Sequence, residues 1–580
     1  MISYDARGIE SRWSSAWERD GCYRAPDHPD GEKFFNYDSG PFPSGPLHMG
    51  HVRTYLLGDV TARYQRSLGK SVLYTTEWDA FGLPNELEAT RQGMSPAAFT
   101  QRWIGIMSRQ MRTLGISYDW SRVRATCDPA YYGWTQWLFL KLLRLGHISQ
   151  REAELPYCPD CQTVLSRMQV EGTRCWRCAT EVKTRRLRQW FVSISPHAGD
   201  LLRSMENLPG WSTQIKSLVR GAVHAHQGRA SAESDWLISR QRSWGTPIPV
   251  VHCKRCGMVP VPEEDLPVRL PEDLDWSLGP RALSSHRSFP RTHCPRCRKG
   301  ARRETDTLDC FFDDIWCFLA CLVKLDSPPW FRGARVEKWM PVDRFHSGFD
   351  TVAYLHLHRY LAKVLHDSGD FPFKEPIAGH MGNEMVLRDG HKMSKHLGNT
   401  VSPSAVIRKH GADTLRVAML WAAGPHTAVD WRPQLLDRAE SLLGSFHRLY
   451  TLAASAGVAP GPPASPSKSI LALQRKAGRS LAAIARFVDE YRPNAGIEEL
   501  ASLFRHIEAF ALCRLESARL LPGDAGLLRQ ILDDECVVLA LFAPHLAEEL
   551  WHRMGNSGYV VQQRWPRIQE AAGVTPLAAA

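Results

Sequence analysis

Two pairs of basic side chains, far apart in the chain, have the type and spacing to act on phosphate. His48 and His51 stand where a turn-rich loop, Ser39-Gly-Pro-Phe-Pro-Ser-Gly-Pro46, passes into a helical pattern. Residues three apart share one face of a first helical turn. A helix N-terminus also offers unpaired N–H groups and the positive end of its dipole to an anion. Gly50 lies between the histidines and carries no side chain, so a flat base can rest on the backbone there. Lys392 and Lys395, in His391-Lys-Met-Ser-Lys-His396, follow a strand pattern over 383–388 and an Asp389-Gly390 turn. Flexible ammonium groups suit a phosphate chain that becomes a leaving group. Two histidines alone would be as consistent with a core as with a ligand site.

Eight of the fifteen cysteines fall into four Cys-x-x-Cys pairs. Cys158 and Cys161 are followed across a short arm by Cys175 and Cys178; Cys253 and Cys256 are joined across a longer arm by Cys294 and Cys297. Two such knuckles supply the four thiolates of a tetrahedral Zn2+ site. Both sites are expected to be structural, because four thiolates leave no position open for substrate. Reduced, metal-free thiols are the plain alternative. A thioredoxin-like pair is disfavoured by the Pro-Asp and Trp-Arg spacers and the lack of a βαβ setting. Cys22, Cys127, Cys310, Cys317, Cys321, Cys513 and Cys536 are scattered and read mostly as small apolar fillers.

The elements that must hold these groups follow from pattern. Lys33–Asp38 is an apolar-aromatic strand, the loop after it feeds a helix through Gly69, and Ser71–Thr76 is a second strand, as a βαβ unit requires. Phe99, Trp103, Met107, Met111 and Leu114 mark a packed helix face. The middle, about 150–305, reads as loop-rich and basic, with clusters at Lys183, Arg185, Arg186 and Arg188 and at Arg296, Arg298, Lys299, Arg302 and Arg303. Each cluster is a solvated surface or a contact for RNA backbone. Strand and helix signals resume over 305–430, and helices follow. A Pro/Gly-rich loop at 456–466 divides them, and apolar stripes run through Ile497, Leu500, Phe504, Ile507 and Phe510 and from Val537 to Trp551.

At 580 residues, with 43% apolar and 23% charged content, the chain has material for several globular domains. A net charge of +11 favours a polyanionic partner such as nucleic acid. No apolar run approaches the ~18 residues that cross a bilayer, and the first residues contain no hydrophobic signal core. A cytoplasmic enzyme or RNA-binding protein is the expected class.

Taken together, His48-Met-Gly-His51 and Lys392-Met-Ser-Lys395 resemble the two signatures of class I aminoacyl-tRNA synthetases. The supporting runs resemble the bacterial-type leucyl branch: Trp78-Asp-Ala-Phe-Gly-Leu-Pro84, Tyr118-Asp-Trp-Ser-Arg122, Ser239-Arg-Gln-Arg-Ser-Trp-Gly-Thr-Pro-Ile-Pro249, Asp306-Thr-Leu-Asp309 and Phe542-Ala-Pro-His-Leu-Ala-Glu-Glu-Leu-Trp551. The resemblance covers residues from about 8 to Pro566. It implies an α/β fold with a Rossmann-type parallel-sheet core, whose first half is 1–149 and whose second half, with the lysine loop, is 305–400. A zinc-bearing connective insertion (150–304), a stem-contact linker (401–435), an all-α tRNA-binding bundle (436–566) and a tail (567–580) complete it. The implied reaction uses ATP with Mg2+ to form an aminoacyl-adenylate, then moves the acyl group to the terminal adenosine of tRNA.

By the same resemblance, His48, His51, Lys392 and Lys395 are catalytic. Gly50, Gly348, Asp350, Met385, Val386 and Ser394 contact ATP, with Gly348 and Asp350 on the ribose and Met385-Val386 backbone on the adenine. Ser39, Phe42, Asp79, Phe311, Asp314, Cys317, Phe345 and Thr351 surround the amino acid, with Asp79 on its α-ammonium. As alternatives, Asp79 caps a turn, Asp350 caps a helix, and Asp313 or Asp314 caps a helix starting near Trp316.

The chain departs from the leucyl pattern in three ways. Only the short stretch Ala225–Ser234 stands where an editing domain is inserted, and no small C-terminal domain follows Pro566. Ser39, Asp314, Cys317 and Thr351 replace Met, Ser, Tyr and His around the pocket, and His396 replaces the final Ser of the lysine loop. A leucyl-type enzyme without editing is expected. A paralogue taking a polar, hydroxylated, cationic or non-proteinogenic amino acid, a carrier protein or other acceptor in place of tRNA, and a non-catalytic tRNA-binding relative are the alternatives.

Overall fold

The computed structural model describes residues 4–166, 169–226, 235–325, 333–393, 398–461 and 465–566. Strand β1 (Lys33–Asp38), helix α1 (Met49–Ser67) and strand β2 (Ser71–Thr75) form the first βαβ unit, with β1 and β2 parallel and Phe34 opposite Val72. The chain then leaves the sheet through β3 (Ile148–Cys158) and β4 (Lys183–Val192) and returns past the short helix α2 (Cys310–Asp314). Strands β5 (Arg344–Gly348) and β6 (His380–Asn383) complete a parallel sheet of order β6-β5-β1-β2. The order reverses at β1, so the loops after β1 and β5 diverge and open a crevice at the carboxyl ends of the strands.

Both faces of this sheet are covered, so its strands are largely buried even where they carry polar residues such as Asn36, Asp38, His346 and His380. Alternation decides which residue faces which layer. Phe34, Val72 and Tyr74 pack with α1 and the C-terminal helices, while Phe35, Tyr37, Leu73 and Phe345 pack with the insertion side. Asp343 ties the start of β1 by accepting from the Phe35 N–H at 2.6 Å and the Lys33 ammonium at 2.7 Å.

The middle of the chain is not loop-rich. β3 and β4 form a long antiparallel pair, from Ile148 opposite Val192 to Tyr157 opposite Lys183. The boundary expected at 149/150 therefore falls inside a strand. The charged half of β4 concealed it: Lys183, Arg185, Arg186 and Arg188 are exposed, and only its last four residues are buried. Arg186 is paired with Glu152 at 3.1 Å and Arg185 lies over the Tyr157 ring. The strand expected over 383–388 is also two. β6 ends at Asn383, Glu384 donates its N–H to the Pro425 carbonyl, and β7 (Val386–Arg388) pairs with β8 (His391–Lys392) and β9 (Val429–Asp430) in a separate sheet.

The C-terminal helices are α3 (Gln434–Ser455), α4 (Lys468–Asp489), α5 (Pro493–Glu516), α6 (Pro522–Phe542) and α7 (Pro544–Arg553). The stripe Ile497, Leu500, Phe504, Ile507 and Phe510 is buried on α5. The expected stripe from Val537 to Trp551 is broken at Ala543, because Pro544 holds the residue before it out of helical backbone. The Phe99–Leu114 face is buried apart from the half-buried Trp103. Cys513, expected as a filler, is exposed. Among the described residues no helix is long and apolar enough to cross a membrane.

Candidate active site

At the crevice, α1 begins at His48, and the two histidines cap it reciprocally. The His48 side chain accepts from the His51 N–H at 3.3 Å, and the His48 N–H donates to His51 Nδ1 at 3.3 Å. Their rings stack with centroids 3.6 Å apart, so both lie at the helix N-terminus as one basic surface. Burial, followed by the neighbouring His48, holds the His51 pKa well below the usual histidine range. A Cβ on Gly50 would sit 3.0 Å from the His48 ring, so the glycine first of all admits that ring. Thr54 links the helix to the end of β6 by donating to Asn383 Oδ1 at 3.0 Å.

The loop after β5 leaves the same carboxyl edge of the parallel sheet as the loop that leads from β1 to the histidines. Asp350 is exposed and folds back over Gly348, where an added Cβ would lie 2.4 Å from its Oδ1. It caps no helix: the turn that follows has Thr351 at its N-cap and no side-chain cap. The Thr351 hydroxyl, expected at the amino-acid pocket, donates to the Gly348 carbonyl at 3.0 Å and braces this loop. The Met385 side chain is exposed and its carbonyl accepts from the Val429 N–H, while Val386 is buried. Lys392 is exposed on β8. Ser394, Lys395 and His396 lie outside the described residues, as do Arg167, Met168, 227–234 of the editing-domain position and the 567–580 tail.

The other end of the crevice is lined by buried acids. Asp79 caps no turn: the helix that follows has Gly82 at its N-cap with no side-chain bond, and Asp79 Oδ1 has no hydrogen-bond partner. Burial, then Asp314, Asp313 and Asp309, pushes its pKa well up. α2 is capped by Asp309, which accepts from the Phe311 N–H at 3.2 Å and pairs with Arg240. Asp313 accepts from Thr246 at 2.6 Å within that helix. Neither Asp313 nor Asp314 caps a helix, and the one that begins at Cys317 has no side-chain cap. Asp314 instead comes together with Glu77 and Cys317, ligand atoms of the three lying within 4.8 Å of one another. Glu77 and the neighbouring Tyr37 and Tyr131 were not legible in the sequence as site residues.

The remaining expected pocket residues divide. Phe345 stacks on Tyr37 with ring centroids 5.6 Å apart, at the floor of the crevice. Ser39 donates its N–H to the His346 carbonyl at 2.9 Å, joining the ends of β1 and β5. Phe42 and Phe311 line a neighbouring cavity with Arg240 and Asp309, where Phe311 stacks on Tyr354.

Each cysteine quartet is gathered at strand ends, with all four sulfurs within 4.8 Å of one another. Cys158 and Cys178 are 3.4 Å apart, Cys161 and Cys178 3.6 Å, and Cys253 and Cys297 3.6 Å. A zinc–thiolate tetrahedron has edges of ~3.8 Å, so both quartets fit a zinc ion.

Comparison with known proteins gives two family matches. Residues 12–432 match the model described as tRNA synthetases class I (I, L, M and V), and residues 476–578 match the anticodon-binding domain of tRNA ligase. The chain is 30% identical to the leucine--tRNA ligase of Thermotoga petrophila, covering 99% of this chain and 92% of that one. It is 29% identical to that of Fervidobacterium nodosum over the same shares. The first alignment spans 770 positions against 580 residues here, so long stretches of that relative have no counterpart. Among solved structures, the Agrobacterium radiobacter LeuRS in ternary complex with tRNA and LeuAMS superposes with a TM-score of 0.89 at 28% identity, covering 98% of this chain and 90% of that one. A Mycobacterium tuberculosis methionyl-tRNA synthetase bound to methionyl-adenylate shares the fold, with a TM-score of 0.69 at 16% identity over 91% and 94% of the two chains.

Proposed function

The chain belongs to the class I tRNA synthetases of the I, L, M and V group, and from that premise we propose how its crevice activates an amino acid and charges tRNA. The observation that carries the reading is the stacked His48–His51 pair at a helix N-terminus, at the same carboxyl edge and switch point of the parallel sheet as Gly348 and Asp350. ATP lies with its phosphates at that N-terminus and its ribose hydroxyls on Asp350, a carboxylate being the natural acceptor for a diol. Mg2+ accompanies the triphosphate. Asp79 receives the substrate's α-ammonium, which leaves the carboxylate free to attack the α-phosphorus.

In the first step that attack forms the aminoacyl-adenylate and pyrophosphate leaves. Lys392 and Lys395 neutralise the charge that develops on the departing phosphates. Burial keeps His51 neutral, so it meets the phosphate as a hydrogen-bond donor with little cost of desolvating a cation. In the second step a ribose hydroxyl of the terminal adenosine of tRNA attacks the acyl carbon and AMP leaves. The helices from α3 onward supply the tRNA contact, in keeping with the anticodon-binding match. No observation favours a carrier protein as acceptor. A cytoplasmic site of action goes with this role.

Both cysteine quartets hold structural zinc and brace the insertion. Editing is absent, because only ten residues, Ala225–Ser234, stand at the editing position and the leucine-type relatives are longer. Amino-acid-dependent pyrophosphate exchange tests the reading. Wild type should exchange, and Lys392→Ala should lose on the order of 10²-fold, the size of a lost transition-state charge partner. Tight tRNA binding without exchange for any amino acid would leave only a binding protein. A mischarged tRNA should stay intact with the purified chain; rapid deacylation would reveal a hydrolytic site.

A further inference from the structure

The amino-acid end of the crevice contains more acid than the fold balances. Glu77 is 1% exposed, and its Oε1 has no hydrogen-bond partner. Its Oε2 receives the Tyr131 hydroxyl at 3.2 Å, and its other neighbours are the Asp314 carboxyl and the Cys317 thiol, none of them a cation. Tyr37 is 0% exposed and lies beside Glu77, and the neighbour of its hydroxyl is the Cys317 thiol. Among the described residues no lysine or arginine pairs with Glu77, Asp79, Asp313 or Asp314; the nearby Arg240 and Arg242 are taken by Asp309 and Glu86. His358 is the basic side chain that faces Asp314, and burial holds it below the usual histidine range.

The acid is built into the wall. A Cβ on Gly40 would lie 2.6 Å from Glu77 Cγ and 2.8 Å from the Glu77 carbonyl, so a side chain at position 40 would displace Glu77. A buried carboxyl with an unpartnered oxygen costs free energy in the empty enzyme. Such a group persists where a ligand completes it. Asp79 is accounted for by the α-ammonium, in the reading above on which this inference rests. Glu77 and Asp314 are left over.

We infer that the amino acid activated here carries a primary amine on its side chain, received by Glu77 and Asp314 with the Tyr37 hydroxyl as third acceptor. An ammonium has three donors on one compact centre, and these acceptors converge from three elements. A guanidinium is a planar fork that needs side-by-side acceptors instead. A divalent metal fits less well. Glu77 and Asp314 are hydrogen-bonded to each other, and the Cys317 thiol donates to Glu77, with burial keeping it a thiol rather than a thiolate. Leucine would bring only methyl groups to these acids.

The test uses the full-length protein in pyrophosphate exchange, with ornithine against norvaline, lysine against norleucine, and leucine alongside. At least one amine-bearing amino acid should exceed both its neutral counterpart and leucine by roughly 100-fold or more in kcat/KM, since a site built around a polar group rejects the analogue that lacks it. Glu77→Gln should erase most of that preference through KM, with kcat largely kept and a thermal midpoint no lower than wild type. Leucine preferred ten-fold over every amine would overturn the inference and leave amino-acid activation standing. Exchange with no amino acid would overturn both. A stoichiometric metal beyond the two quartets, lost in both Glu77→Gln and Cys317→Ser, would assign the cluster to a metal and overturn the inference as well.

Discussion

Asp59 and Glu77 are both carboxylates buried against the same sheet, and the fold treats them oppositely. Asp59, on α1, accepts from Arg63 at 2.7 Å, Arg416 at 2.6 Å and the Ser117 N–H at 2.7 Å. Burial alone would raise its pKa, but Arg63 and Arg416 outweigh burial and hold it below the usual carboxylate range. Arg416 also donates to the Leu114 and Phe542 carbonyls, so this network fastens the Rossmann-type core to the C-terminal helices. Glu77 has no arginine, and burial, then Asp314 and Asp79, drives its pKa up. A fold that can satisfy one buried acid completely and leaves another incomplete distinguishes structure from site. The cysteine quartets belong with Glu77 in this respect, because four converging sulfurs also offer a place that a cation from outside could complete.

Removing the cation of a quartet should have the largest effect. Structural zinc contributes on the order of 10 kcal/mol to small domains. Metal analysis should give up to two zinc ions per chain, matching the two quartets. Chelation at mildly acid pH should strip them and unfold the β3–β4 region, seen as lost amide protection. A metal-free preparation of full stability would remove the quartets from the comparison.

Next in size is Arg416→Met. It leaves Asp59 buried with one cation fewer and should cost ~3–5 kcal/mol in denaturant unfolding. A loss below ~1 kcal/mol would mean that the network is less confining than its geometry implies.

Glu77→Gln gives the smallest change, and its sign is the informative part. Stability near neutral pH should hold or rise by ~1 kcal/mol, because an unpaired acid is removed. The folded pKa of Glu77 is raised, so the native state retains a proton that the unfolded chain releases. Wild type should therefore lose stability as pH climbs above the ordinary glutamate value of ~4.3. Glu77→Gln should lose less over that range. A destabilisation as large as that of Arg416→Met would place Glu77 with Asp59.

How much was legible in the sequence follows the same division. His48, Gly50, His51, Lys392 and the cysteine quartets are local patterns, in which a loop entering a helix or a short knuckle carries the chemistry. The first βαβ unit was legible from the aromatic and apolar runs of β1 and β2, whereas β5 and β6, rich in His, Ser, Gly and Asn, were reached only through the resemblance. The β3–β4 pair was not legible, since the exposed arginines of β4 mask the strand pattern. Glu77 was not legible either. A lone glutamate on a two-residue strand reads as a solvated group until residues 37, 40, 131, 314 and 317 are brought around it. The resemblance named Asp314 but left capping as the plain alternative, and the helix that begins at Cys317 has no side-chain cap.

The central claim, that the acids left without a cation mark where the substrate's charge goes, is tested most directly by a crystal structure of the full chain. The ligand is a non-hydrolysable sulfamoyl-adenylate of the amine-bearing amino acid that performs best in exchange. The account predicts the side-chain nitrogen within ~3.2 Å of both Glu77 and Asp314, with the α-ammonium on Asp79. A side chain directed away from Glu77, with neither acid touched by the ligand, would contradict it.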